Sequence, residues 1–231
     1  MRVLDLFSGI GGFSLGLERA GMKTVAFCEI DPFCRRVLAK HWPDVERFRD
    51  VREVGSHNLK PVDLICGGDP CQENSGARRH PTTSPSLGDQ FIRVVAECRP
   101  RLVLRENPSG VRSDAPWPWW RFRAELERLG YAVLPFRLRA CCVGLDHRRD
   151  RLFLLADRSD SMCARLEGEI KPRINPVSAG GPVRRIRLSE SDVVRAGHGI
   201  PDYMERIRGV GNAVAVPVAE YIGRLILGGA K

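Results

Sequence analysis

No two of the eight cysteines stand in a C-x-x-C pair. Scattered thiols of this kind exclude a disulfide framework and predict reduced cysteines in a cytosolic protein. Cys141, Cys142 and His147 lie near one another. No second ligand pair accompanies them, so no metal site is expected. No apolar run approaches the roughly 20 residues needed to span a bilayer, which excludes a helical membrane anchor. Met1-Arg2 runs straight into Val3-Leu4-Asp5-Leu6-Phe7, which reads as a strand rather than a secretory leader. No internal repeat is present, which excludes a solenoid. Acidic residues are also short: 28 Asp+Glu stand against 37 Lys+Arg, a formal net charge of +9. This balance favours a polyanionic partner, nucleic acid first and an anionic membrane surface second. Arginine-favouring codons give the same balance, so charge alone does not decide. With 231 residues and 43% hydrophobic content, the chain has enough apolar side chain for one large domain, or a domain with a small appendage.

What is present begins with a glycine-rich turn. Asp5 to Gly12 follows the first apolar strand and opens a helix whose Phe13, Leu17 and Ala20 share a face, with Gly21 at its end. A second strand, Thr24 to Cys28, ends in Glu29, twenty residues on from Gly9. That is the spacing at which an acid accepts hydrogen bonds from a ribose, and glycines at 9 and 11 allow close approach of a ligand. The pattern indicates a nucleoside-containing cofactor without separating NAD from S-adenosylmethionine. Asp31-Pro32 caps the next helix.

Val62 to Cys66 reads as a buried strand, and Gly67-Gly68-Asp69-Pro70 forces a turn at its end. Cys71 therefore falls beyond the carboxyl end of a strand, where open α/β sheets bind ligands. A small buried cysteine in a turn is the plainer reading. Residues 73–86 read as a mobile basic loop over the site. A helix from Leu87 carries Phe91, Val94, Val95 and Cys98 inward, and Leu102 to Leu104 is a strand delivering Glu106 to the same edge as Cys71. An acid in this place also serves to cap a helix or pair with an arginine. The cluster Trp117-Pro118-Trp119-Trp120 reads as core packing in preference to a base-stacking platform. Tyr131 to Ala140 and Leu152 to Leu155 are further strands, with His147 to Arg151 between them suited to phosphate or base-edge contact. Residues 158–187 are polar, rich in Gly, Pro and Ser and weakly periodic, which predicts a linker or a very small subdomain. Val214, Val218, Ile222 and Leu225 mark a final helix.

In order and spacing, the segments Asp5–Gly12, Glu29, Asp50, Gly67–Ser75, Glu106-Asn107, Arg149–Arg151 and Gly211–Val214 resemble the cytosine-5 DNA methyltransferases, particularly short phage and prophage forms. The resemblance implies a Rossmann-like α/β fold: a mostly parallel sheet with one antiparallel strand, helices on both faces and a much reduced target-recognition region. It implies a catalytic, cofactor-binding domain over 1–157, a recognition segment over 158–187 and a C-terminal segment over 188–231 that returns to the first. It assigns Cys71 as the nucleophile, Glu106 as the group that holds the base, and Arg149 and Arg151 as its grip. S-adenosylmethionine would lie against Phe7, Gly9, Gly11, Glu29, Ile30, Asp50, Val51, Pro70, Leu87, Asn212 and Val214. Gln72, Ser75, Arg78 and Arg79 would meet double-stranded DNA in a bacterial cytoplasm, with no metal and no membrane. The runner-up is a catalytically weak DNA-binding paralogue that serves a partner subunit. An NAD oxidoreductase would leave Pro70-Cys71 and the arginine pair unexplained. Three positions depart from the family pattern: Asp69, Pro108 and His147. Asp69 is expected to oppose thiolate formation at Cys71 unless an arginine pairs with it, and its replacement by Phe to leave the rate unchanged or raise it.

Overall fold

Period-two alternation divides the strands between two cores. Val3, Leu64, Cys66, Leu102, Leu104, Phe153 and Leu155 face one side, while Leu4, Ile65, Val103, Leu154 and Ala156 face the other. A sheet apolar on both faces must be covered on both. The computed structural model shows this arrangement and describes residues 1–69, 87–108, 119–146, 149–159, 161–174, 209–210 and 212–228.

The strands are β1 (Arg2–Leu6), β2 (Lys23–Cys28), β3 (Glu46–Phe48), β4 (Leu64–Gly67), β5 (Leu102–Pro108), β6 (Ala132–Arg139) and β7 (Asp150–Asp157). They form one seven-stranded sheet in the order β3-β2-β1-β4-β5-β7-β6. Strands β3, β2, β1, β4 and β5 pair in parallel, and β7 runs antiparallel to both β5 and β6. The mostly parallel sheet with one reversed strand is the architecture expected. Helices α1 (Gly12–Arg19), α5 (Ser161–Ile174) and α6 (Val216–Leu227) pack on one face, through Phe13, Leu17, Met162, Leu166, Val218 and Ile222. Helices α3 (Leu87–Cys98) and α4 (Trp119–Arg128) cover the other, through Phe91, Val94, Phe122 and Leu126. Helix α2 (Pro32–His41) joins β2 to β3. Asp31 caps it, its Oδ1 accepting from the Phe33 and Cys34 amides at 2.8 and 3.0 Å. Among the described residues, no helix is long and apolar enough to cross a membrane.

Three local expectations are corrected, and one strand carries no signal in the sequence. The stretch after Asp157 is not an irregular linker: α5 occupies Ser161–Ile174 and buries Met162, Cys163 and Leu166. Asp157 organises its start by accepting from the Ser159 and Met162 amides at 2.9 Å. Met162, Leu166, Ile170 and Ile174 stand four apart in the sequence, but Gly168 and Pro172 between them read as breaks and hide the period. Strand β3 carries no period-two apolar signal because it is a short, largely exposed edge. Cys98 is only half-buried, and Ile92 takes the inward position. Trp119 and Trp120 are 37% and 53% exposed, so they lie outside the core, where Phe122 and Leu126 point from the same helix. Trp117 is outside the described residues.

The final helix packs against α1. A Cβ on Gly16 of α1 would lie 2.5 Å from Ala219 Cβ and 2.6 Å from the Val216 carbonyl oxygen. A Cβ on Gly223 would lie 2.7 Å from that of Ala20. Helices α1 and α6 thus meet backbone to backbone, where no side chain fits. Gly16→Leu is expected to destabilise the fold by about 3 kcal/mol through overpacking. In thermal denaturation this reads as a fall of roughly 6–10 °C for a chain of this size.

Candidate active site

Strand order reverses between β1 and β4: the chain moves outward to β2 and β3 on one side and to β5 on the other. At such a switch point the two loops part and leave a crevice at the carboxyl ends. A cavity of about 540 Å³ opens there. A smaller groove of about 310 Å³, lined by Arg2, Lys23 and Lys60 among others, lies against the amino-terminal ends of β1 and β2.

One part of the wall is the turn after β1. Phe7, Gly9 and Gly11 all adopt positive φ, at 54°, 55° and 87°. For Phe7 this costs on the order of 1 kcal/mol, and its ring stacks on Phe91 at 6.3 Å. Glu29 ties the turn to β2: Oε2 accepts from the Gly9 amide and Oε1 from the Asp31 amide, each at 2.7 Å. Burial raises the Glu29 pKa, and the amide hydrogen bonds pull it back. Each carboxylate oxygen keeps a second lone pair for a ligand hydroxyl. Ile30 stands 61% exposed in the wall, an apolar face open to a planar ring.

Asp50 caps the short 3-10 turn Val51–Glu53 through the Arg52 amide at 3.0 Å. The Arg52 guanidinium grips both its oxygens at 2.6–3.1 Å, and this holds the carboxyl below its usual range. From behind, Arg93 donates to the Val51 and Val54 carbonyls at 2.8 and 2.9 Å, fixing this side of the cavity to α3. Leu87, Asn212 and Val214 complete the wall. Close approach of the C-terminal segment needs Gly12, whose Cβ would lie 2.5 Å from the Val214 carbonyl oxygen. Gly11 does not line the cavity: a Cβ there would meet the Trp42 ring at 2.7 Å, so the residue serves the turn and its packing on α2.

The other part of the wall comes from β4, β5 and β7. Glu106 is 7% exposed, with Arg151 Nε 2.6 Å from its Oε1. Burial raises its pKa, the charges of Arg151 and Arg149 oppose this, and Asp69 adds to it. Arg149 also donates to the Ala213 carbonyl at 2.7 Å, which links the arginine pair to the segment carrying Asn212 and Val214. Gly68 and Asp69 bring the chain from β4 into this wall. Pro70, Cys71, Gln72, Ser75, Arg78 and Arg79 lie outside the described residues, as do the remainder of the basic loop, His147 and Gly211.

Asp69 is paired, which corrects the expectation of a free charge beside the nucleophile. Arg105 Nε and its terminal nitrogen donate to the two Asp69 oxygens at 2.6 and 2.8 Å. The guanidinium also lies over the Phe122 ring at 4.1 Å. Both partners are buried, Arg105 at 1% and Asp69 at 5% exposure. A polar residue within the run Leu102-Val103-Leu104-Arg105 was the available signal, and it reads only as a strand ending. Arg93 gave no signal beyond a charged helix position. Asp5 was visible only as one letter of the glycine-turn motif. Burial pushes its pKa up to about 7, partly offset by the Ser14 hydroxyl, which donates to it at 2.7 Å beneath the turn.

This arrangement has known counterparts. The family described as C-5 cytosine-specific DNA methylase matches residues 1–195. The Type II methyltransferase M2.BsuMI of Bacillus subtilis is 35% identical over 68% of this chain and 42% of its own length. A crystal structure from E. coli, of a protein described as a prophage-encoded DNA modification methyltransferase, superposes with a TM-score of 0.57 at 29% identity. It covers 69% of this chain and 47% of that one. The S. pombe Dnmt2 methyltransferase shares the fold, with a TM-score of 0.59 at 20% identity over 86% of this chain and 67% of its own. The chain spans less than half the length of the Bacillus and E. coli relatives. A match over residues 1–195 takes in the sheet, the glycine turn, Glu29, Asp69 and the Glu106–Arg151 wall, and on it the chain belongs to the C-5 cytosine-specific DNA methylases.

Proposed function

We propose that this chain transfers a methyl group from S-adenosylmethionine to carbon 5 of cytosine in double-stranded DNA, through a covalent bond to Cys71. One observation carries the reading: a buried carboxyl, Glu106, faced by two arginines, shares a cavity with a glycine turn and the carboxylates of Glu29 and Asp50. The first set suits a pyrimidine and the second a nucleoside. Glu29 and Asp50 offer acceptors for hydroxyls and an amine, Ile30 an apolar face for an adenine, and the glycine turn a close backbone approach. These residues fit S-adenosylmethionine. When bound, it supplies an electrophilic methyl group.

The protein must make carbon 5 of cytosine nucleophilic, which it is not in the free base. The Cys71 thiolate adds to carbon 6, and the electron pair of the 5,6 double bond becomes available at carbon 5. Protonated Glu106 donates to N3 and accepts from the exocyclic amine, offsetting the charge that develops in the ring. Arg149 and Arg151 hold that carboxyl and the base. After carbon 5 has taken the methyl group it loses its proton, the C6–S bond breaks and the thiolate is released. Carbon 5 is hidden in a duplex, so the cytosine is rotated out of the stack, with Gln72, Ser75, Arg78 and Arg79 lying against the DNA. The net charge of +9 suits that partner.

The weak-paralogue reading drew on Asp69 and on the short recognition region, and the Asp69–Arg105 pair removes the first of these motives. The test has two arms. S-adenosylhomocysteine, and not NAD, should raise the melting temperature. DNA incubated with the protein and S-adenosylmethionine should gain 5-methylcytosine. Binding without methylation would favour the paralogue; stabilisation by NAD would overturn the reading.

Target choice follows from how little chain is left to make it. The family usually places a substantial recognition domain between the arginine strand and the final helix. Here α5 is committed to the sheet, and residues 175–208 remain. Each base pair read needs a rigidly held side chain, worth about 1–3 kcal/mol of discrimination. A short or degenerate target is expected, with affinity falling steeply as salt rises. Deep bisulfite sequencing of diverse DNA checks this, and methylation confined to one motif of about five or more defined bases would refute it.

A further inference from the structure

Each member of the Asp69–Arg105 pair stands next or next but one in the chain to a residue that matters most for the proposed chemistry. Asp69 precedes Pro70-Cys71, and Arg105 precedes Glu106. We propose that this pair is a positioning device of the catalytic edge, fixing the exit of β4 against β5 and holding one negative charge beside Glu106. The inference rests on the reading of Glu106 as the group that holds the base.

The geometry gives the pair this role. Strand β4 ends at Gly67, and the backbone must then pass Glu106 closely: a Cβ on Gly68 would lie 3.0 Å from Glu106 Oε2 and 3.3 Å from its carbonyl oxygen. Nothing in two glycines holds such a turn in place. Asp69 does, through two charge-assisted bonds to a guanidinium that is clamped against Phe122 of α4. Phe122 in turn meets Phe91 of α3 edge to face at 5.1 Å. The chain leading to Cys71 is thereby tied to the whole α3–α4 layer.

The placement of charge is the second half of the argument. Consecutive strand residues point to opposite faces, so Arg105 turns to the helices while Glu106 turns to the cavity. Asp69 belongs to both environments: it bonds Arg105 and also lines the cavity with Glu106. Arg149 and Arg151 face Glu106 from β7, and both favour its ionised form. Asp69 is the acid that opposes them. The same cavity also holds Glu29, Asp31, Arg49, Asp50 and Arg52. To donate to N3 of cytosine, Glu106 must carry a proton. An arginine pair strong enough to grip the base draws that proton away; burial of Glu106 is the larger effect against this, and Asp69 adds to it.

The test reads the pH dependence of kcat/KM on DNA. One limb should vanish in Glu106→Gln; a profile unchanged by that substitution would sink the reading of Glu106 itself, apart from the pair. In Asp69→Asn, which is isosteric, that limb should move to lower pH by about one unit, because a negative charge is lost and Arg105 remains. Asp69→Leu with Arg105→Met removes both charges and strands neither, so this double variant stays folded even where a single one does not. Its limb should move in the same direction by a smaller amount. S-adenosylhomocysteine binding normalises each rate to the folded fraction. Limbs that coincide with wild type in both variants would leave the pair a purely structural contact and overturn the proposal.

Discussion

Replacing Cys71 by Ser is expected to abolish methyl transfer, by about four orders of magnitude or more, while S-adenosylhomocysteine binding stays nearly unchanged. The hydroxyl is too weak an acid to supply an anion near neutral pH, and without addition at carbon 6 there is no electron pair at carbon 5. The cofactor set on the first half of the cavity wall is separate from this residue in the chain and keeps its glycine turn and Glu29. DNA carrying 5-fluorocytosine separates a covalent role from a merely structural one. Fluorine cannot leave as a proton does, so wild-type protein should remain bound to it through denaturation. Trapping that persists in Cys71→Ser would remove Cys71 as the nucleophile and require another residue on the wall.

The parallel half of the sheet and the order of its chemistry were legible because both rest on local patterns. Short apolar runs bounded by glycine, and acids placed just beyond them, are properties of a few adjacent residues. Glu29, Glu106, Arg149 and Arg151 stood out in this way, Ile30 and Asp50 came from the family resemblance, and all six line one cavity. What was not legible depends on pairs far apart in the chain. Asp69 and Arg105 are separated by 36 positions, and no sequence pattern says that one carboxylate finds one guanidinium. Arg93 and the carbonyls it holds are about as distant. Gly11 was ambiguous for a different reason: a glycine in such a turn can serve a ligand or the packing behind it, and its contact with Trp42 is invisible in the sequence. Helix α5 was hidden because Gly168 and Pro172 interrupt the four-residue spacing of Met162, Leu166, Ile170 and Ile174.

The largest stability effect is expected at Asp69, and its sign is the reverse of what the sequence suggests. Read alone, a carboxylate next to a nucleophilic cysteine looks like a liability, so an apolar replacement looks harmless. The structure places that carboxylate on a guanidinium that is 1% exposed. Asp69→Phe would take from the Arg105 guanidinium, still charged in the core, the carboxylate that accepts from two of its nitrogens. Arginine does not shed its proton to escape this. Breaking a buried pair from one side costs about 3–5 kcal/mol, which for a chain of this size is a fall of roughly 6–20 °C in melting temperature. The same substitution made together with Arg105→Met removes the stranded charge and should recover most of the loss, since apolar replacement of a whole buried pair is often neutral or stabilising. Thermal or urea unfolding of the two variants beside wild type decides the matter. If Asp69→Phe alone unfolds with the wild-type midpoint, the pair contributes nothing to the fold, and Arg105 must find its compensation elsewhere. If the double variant is as unstable as the single, the loss comes from the bulk of the phenyl ring at the exit of β4 and not from the charge.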